Sequence, residues 1–403
     1  MNPVREPLSS SVTRPTTPGV RSITVSNADP YAALETVLAA FDDIGPVDLA
    51  LLFVSSRFAR FLPGIVAGIR EELRPRALAG CTAASVVGEE EGGPAISLLA
   101  LRLPGATITT VRLGEWLRDA DAEPERWREA LDLPESDVNG LLLLVDPYRT
   151  DAQSLLSGLH HAYPNAPIIG GVASGVVTHR QTWIIADEEI AGEGAVAVAI
   201  GGAYTIQPVV SQGCEPIGQT WTITGASKQW IDSIASQPAM DVLLDALRTL
   251  PPEQRDAAGR NLFVGLAADE YRDDYERGDF LIRGITGIEH ESGAIATNAL
   301  PRTGQTIQFQ VRDPQTARAD LDHVLSRAAK SSESPAPIAA LLCASSERNA
   351  AFFGAPATDA AALARHFPGL PIAGITTSGE IAPVGRKPFL HGFTAVAGFV
   401  VKR

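Results

Sequence analysis

Three stretches of the chain repeat one pattern, and this repetition limits the fold more than any other feature. Each has an apolar run, a polar loop, an amphipathic segment, a Pro-containing turn, and a second short apolar run that ends in Gly and small hydroxyl residues. The apolar runs begin at residues 49, 141 and 338, and the amphipathic segments cover about 58–73, 152–163 and 359–367. Leu49 to Gly80 spans 31 residues, Leu141 to Gly171 spans 30, and Ala339 to Gly374 spans 35, a spacing that suits a strand, helix, strand unit. Leu155, Leu159 and Tyr163 fall at i, i+4 and i+8, and Leu363 and Phe367 at i, i+4, so each helix has one buried stripe. Asp151 and Asp359 stand where N-caps are expected.

A further apolar or alternating strand follows each unit, over 95–103, 195–200 and 393–400. A weaker fourth copy starts near Asn261 and continues through 280–282, with a charged loop, 269–279, in place of the helix. Between these units, 218–224 reads as a strand and 229–250 as a helix broken near Pro238. Residues 304–311 alternate like an exposed edge strand, and Leu321, Val324, Leu325 and Ala328 mark another helix. The expected architecture is α/β: two pseudo-symmetric halves of repeated strand-helix-strand units with extra antiparallel strands and a cleft between the halves. A linker near 201–213 divides them, giving a disordered Ser/Thr/Pro-rich tail over 1–21, one domain over 22–205 and another over 206–403.

Composition restricts the partners. Over 403 residues the formal charge is −14, which opposes attraction to nucleic acid or anionic membranes. No run approaches the ~20 apolar residues of a membrane helix, so no membrane insertion is expected. Cys81, Cys214 and Cys343 lie more than 100 residues apart, without metal-ligand or disulfide spacing, which suits a reducing cytoplasm.

Several separate motifs, in order, carry a family resemblance. In the N-terminal half these are LLFVSS, AGCTAASVVGEE, PNAPIIGGVASG and GEGAVAVAI. In the C-terminal half they are DFLIRGITGI, CASSERNAAFFG, FPGLPIAGITTSGEIAPV and LHGFTAV. Over about residues 45–400 the chain resembles the FIST N-terminal and C-terminal domains. That resemblance implies an intracellular sensory module for a small ligand, such as an amino acid or another small metabolite. One branch of the family is linked to haem and nitric oxide. Because no stretch outside the region is long enough for an output domain, a separate signalling protein is the expected receiver.

The candidate ligand-binding residues fall into two sets. Three Gly-rich turns are expected at the strand ends: Gly80, Cys81 and Thr82; Gly170, Gly171 and Ser174; and Ser378, Gly379 and Glu380. Free backbone N–H groups in such turns hold anions, although glycines serve tight turns and sheet contacts equally well. None of these is a GxGxxG or P-loop motif, so a nucleotide is not indicated. Cys343 and Arg348 match the family's C-terminal motif; an Arg fork grips a carboxylate, and a nearby cation favours a thiolate. Glu380 matches the family's GE motif and suits an amino group or an arginine, and Arg283 invites the same two readings.

Two alternatives accompany the binding reading. One is an enzyme with Cys343 or Cys81 as nucleophile, which needs a neighbouring base. The other is a haem-based gas sensor using His391 or another histidine; His160 and His161 lie on a helix and His179 in a loop. No resident cofactor or metal is otherwise expected, and the acidic run 269–279 lacks the EF-hand pattern.

Overall fold

The computed structural model describes residues 19–88, 93–114, 123–175, 180–272, 274–331 and 335–403, with only the backbone at 256, 257 and 260. Most of the expected tail, His179, and Asp273 of the acidic run lie outside the described residues.

The fold is α/β, with three sheets. Each expected unit is present, and each uses the same four-strand order. The first sheet runs Val20–Ser26, Ala95–Leu101, Leu49–Ser55, Ala77–Ala83, and then two short strands. The parallel pair Leu49–Ser55 and Ala77–Ala83 is bridged by helix Leu62–Leu73. The second sheet joins two units edge to edge. One half has Ala106–Leu113, Ala195–Gly202, Gly140–Val145 and Ile168–Ala173; the other has Tyr204–Ser211, Ala395–Lys402, Ala339–Ser345 and Ile372–Val384. They meet where Ile168–Ala173 pairs antiparallel with Ile372–Val384, so the two halves are related by a pseudo-twofold axis at that seam.

The third sheet keeps the order with Glu215–Ser227, Thr306–Val311, Leu262–Ala267 and Phe280–Glu289, but here the last pair is antiparallel. Here a loop takes the place of the crossover helix, and the chain returns in the opposite sense. This is the weak fourth copy, and it is inserted between the first two strands of the third unit.

The first and second sheets lie face to face. Leu49, Leu51, Phe53 and Cys81 share a core with Leu142, Leu144, Leu341 and Cys343. The alternate residues Ala50, Leu52 and Val54 face helices Pro30–Ala39 and Leu62–Leu73, while Leu141, Leu143 and Val145 face helix Ala152–Ala162. The layers are therefore helix, sheet, sheet, helix. Strands buried on both faces explain the unbroken apolar runs of the sequence.

Four expectations change. Residues 230–234 form a strand, not helix: Ile231 and Ile234 are buried in the third sheet, and the helix is confined to Ala239–Arg248. Thr306–Val311 is an interior strand, paired on both sides. The expected linker is largely the strand Tyr204–Ser211, held along its length by Ala395–Lys402. Asp151 caps its helix, accepting from the N–H groups of Gln153 and Ser154, but Asp359 lies inside the first turn of helix Thr358–His366, whose N-cap is Ala357.

Candidate functional site

The glycine-rich segments are parts of strands, not open turns. Gly80, Gly170 and Gly374 pair with Leu52, Leu143 and Leu342 at equivalent places in the three units. A Cβ at any of them would stand 1.8–1.9 Å from the partner's carbonyl oxygen, so the backbones touch where only hydrogen fits. The repeat therefore aligns on Gly170, one residue before the glycine matched by sequence. Cys81 and Thr82 continue their strand, with Thr82 Oγ1 accepting from the Trp183 N–H at 2.9 Å.

The three segments do converge. Ser174 Oγ donates to the Thr376 carbonyl at 2.6 Å and accepts from Ala84 N–H at 2.9 Å, while Thr376 N–H donates to the Ser85 carbonyl at 3.0 Å. Gly171 and Glu380 are opposite each other across the seam, and the ladder shifts at Ser378, between Thr377 and Gly379. Most of this is packed interior, with Ser174 3% exposed and Glu380 fully buried, while Ser378 at the shift is exposed.

Beside the seam lies a buried charged cluster. Arg348 follows strand Ala339–Ser345 and reaches Asp359 with two nitrogens, Nε at 2.8 Å and Nη2 at 2.7 Å. Burial disfavours the Arg348 charge, but Asp359 more than compensates and holds its pKa above the usual value. Arg312, just beyond strand Thr306–Val311, lies 3.8 Å over the Phe352 ring and donates from Nη2 to the Glu347 carbonyl. Burial, and then the Arg348 charge, pull its pKa down to about 10. Arg348 Nη1 and Arg312 Nε are both buried without a hydrogen-bond partner. The two cations are close enough for their charges to oppose each other, and each keeps one buried donor unused.

Neighbouring groups fix this arrangement. Asp320 accepts from Ser211 Oγ, Gly213 N–H and Arg277, which ties down the segment before Cys214. Gly213 has φ +66°, and a Cβ there would stand 2.6 Å from Arg348 Nη1, so glycine keeps the space beside that nitrogen open. Glu380 Oε1 is 2.6 Å from Thr377 Oγ1, and Oε2 accepts from Thr394 N–H at 3.1 Å. Burial pushes the Glu380 carboxyl up to about 8, against the pull of these two partners and Arg348. Thr377 Oγ1 also lies 3.1 Å from the Ala344 carbonyl. One hydroxyl proton cannot serve both acceptors, whereas a protonated Glu380 donates to Thr377 and frees its proton for Ala344.

The other candidates are placed differently. Arg283 donates to the carbonyls of Ile282 and Leu390. His391 Nε2 is 3.0 Å from the Ala382 carbonyl, and burial drops its pKa to about 4, so this ring is neutral with that nitrogen engaged. Burial raises the thiols of Cys81 and Cys214 to about 12 and that of Cys343 well above its ordinary value, opposite to what a thiolate nucleophile needs. Sequence reasoning found Arg348 and Glu380 but missed Arg312, Asp320 and Gly213. Each belongs to a different element, and no local spacing links them.

The FIST N domain signature matches residues 48–237 and the FIST C domain signature residues 239–383. The chain is 32% identical over 372 residues to uncharacterized proteins Rv0628c of Mycobacterium tuberculosis (strain ATCC 25618 / H37Rv) and Mb0898c of Mycobacterium bovis, covering 90% of this chain and 94% of each relative. Among solved structures, it is similar to a cyanuric acid hydrolase at 11% identity and a TM-score of 0.32, over 95% of this chain and 99% of that one. The cyanuric acid hydrolase of A. caulinodans gives 13% and 0.31 over the same shares. With both signatures in order across the repeated units, and relatives matched over nearly their whole length, the chain belongs to the FIST family, whose domains are associated with sensory and signal-transduction roles.

Proposed function

We propose that this protein is a cytoplasmic small-ligand sensor that binds the acidic group of its ligand between Arg312 and Arg348 and passes the signal to a separate protein. The observation that carries this reading is the pair of buried guanidinium nitrogens without partners. Buried donors of this kind cost free energy unless something accepts from them, and a carboxylate supplies two acceptor oxygens, one for each of the two nitrogens. Amino acids and small carboxylates are therefore the ligand class. The reading of binding without turnover draws support from the raised thiols and the engaged His391. The cytoplasmic assignment draws support from three free, buried cysteines.

The test is thermal unfolding of the full chain with a panel of amino acids and small carboxylates, repeated with Arg312→Lys. A ligand at about 100 times its Kd stabilises the native state by about 2.7 kcal/mol, a rise of several degrees. A rise seen in the wild type and lost in Arg312→Lys is the expected result. A flat panel, or a rise the variant keeps, overturns the reading.

A further inference from the structure

A second polar site lies away from the arginine pair and shares no lining residue with it. It is a crevice of about 980 Å³ between His160 on helix Ala152–Ala162, the loop after strand Leu262–Ala267, the turn 301–305, and the tip of the hairpin formed by Ile372–Val384 and Lys387–His391. Arg302, Arg386 and Lys387 line it with exposed side chains, and among the described residues none of the three is ion-paired with a carboxylate. The acids in the crevice are already engaged. Asp279 pairs with Arg272, both Glu270 oxygens accept from Thr306 N–H, and Asp269 accepts from Tyr271 N–H.

Two more groups complete the lining. His160 Nδ1 is buried without a hydrogen-bond partner. Burial, and then the charges of His161 and Lys387, hold this ring's pKa below its ordinary value, and the neutral ring keeps one N–H to donate. Tyr271 is 99% exposed, an unusual place for a large aromatic ring, and Phe389 lies 5.5 Å beneath Lys387 Nζ. In a chain of net charge −14, uncommitted cations gathered around a concave wall need a specific reason.

We propose that this crevice binds a phosphate-bearing small molecule, with Arg302, Arg386 and Lys387 on the phosphate oxygens, His160 as a further donor, and the Tyr271 ring covering the remainder of the ligand. Three cations lining one crevice suit the multiple oxygens and double charge of a phosphate better than a single carboxylate. The same chemistry could come from a soluble phosphate ester or from a lipid headgroup.

The test is titration calorimetry of the full chain with sodium pyrophosphate, together with flotation on phosphatidylcholine vesicles with and without phosphatidic acid. Arg386→Ala/Lys387→Ala changes only exposed side chains, so unfolding temperature and circular dichroism should stay as in the wild type. Saturable pyrophosphate binding, weakened about tenfold or more in the double variant and reduced by added salt, is the expected result. Flotation that needs phosphatidic acid and is lost in the double variant also supports the site and assigns the phosphate to a lipid. No binding in either arm at millimolar pyrophosphate, or binding the double variant keeps, overturns the proposal. Arg312→Lys should leave pyrophosphate binding unchanged, which separates failure here from failure of the carboxylate reading.

Discussion

Arg348 and Asp359 form a two-nitrogen ion pair at 2.7 and 2.8 Å, in which the arginine side chain is wholly buried and its third nitrogen, Nη1, has no partner. The aspartate is thereby spent on orienting the guanidinium and not on capping its helix.

Removing one member strands the other charge in the interior. Asp359→Leu alone should cost about 3–5 kcal/mol in urea unfolding, as should Arg348→Met, while the double variant should cost clearly less than the sum. Additive losses would mean that the two side chains do not interact as described.

Glu380 should make the protein less stable in mild alkali. The folded state keeps its proton to about pH 8, whereas an unfolded glutamate releases it near 4.5. The folded state therefore binds more protons in that window, and stability falls as pH rises from about 4.5 to about 8, then levels. Glu380→Gln reproduces the protonated hydrogen-bond pattern, donating to Thr377 and accepting from Thr394. It should flatten that part of the profile and raise stability at pH 8 by more than ~1 kcal/mol. A variant less stable than wild type at pH 8 contradicts a neutral Glu380.

The aligned glycines should be the least replaceable small residues. Gly374→Ala drives a Cβ to 1.8 Å from the Leu342 carbonyl and should prevent accumulation of folded protein, as should Gly80→Ala. Gly259, in helix Pro252–Arg260 with nothing within 4 Å of its Cβ position, gives the opposite sign. Gly259→Ala should stabilise by about 0.5–1 kcal/mol in thermal unfolding.

The cysteines should be silent until the chain unfolds. All three are buried with raised thiol pKa values. A colorimetric thiol reagent should find no fast-reacting group at pH 7.5 in native protein and three in urea. A rapid native thiol would revive the nucleophile reading.

What the sequence revealed was what neighbours along the chain decide. The i, i+4 stripes, the Asp151 cap and the apolar runs of doubly covered strands are local signatures, and they placed three units firmly and the fourth more weakly. Trp230–Ile234, read as part of a helix, is a strand in which Ile231 and Ile234, three apart and so on opposite faces, are both buried, a spacing that matches a helix better than strand alternation. Thr306–Val311 looked like an edge because alternation reports which face is wet and says nothing of how many neighbours a strand has. The site divided the same way. Arg348 and Glu380 lie in recognisable motifs, but Arg312 matters only because the third sheet returns it to Glu347 and Phe352, a fact of long-range topology.

The insertion of one complete sheet inside another unit also fixes an order of assembly. Strand Tyr204–Ser211 leaves the ribosome with its sheet partner among the described residues, Ala395–Lys402, still about 180 residues away. At ~5–20 residues per second, that edge stays uncovered for roughly 10–40 s, long enough for a chaperone to hold it or another nascent chain to capture it. The third sheet is synthesised entirely within the interval, so all of its strands are available to pair before Ala395–Lys402 emerges. Soluble yield should therefore be limited by how fast this late strand arrives and not by the stability of the finished fold.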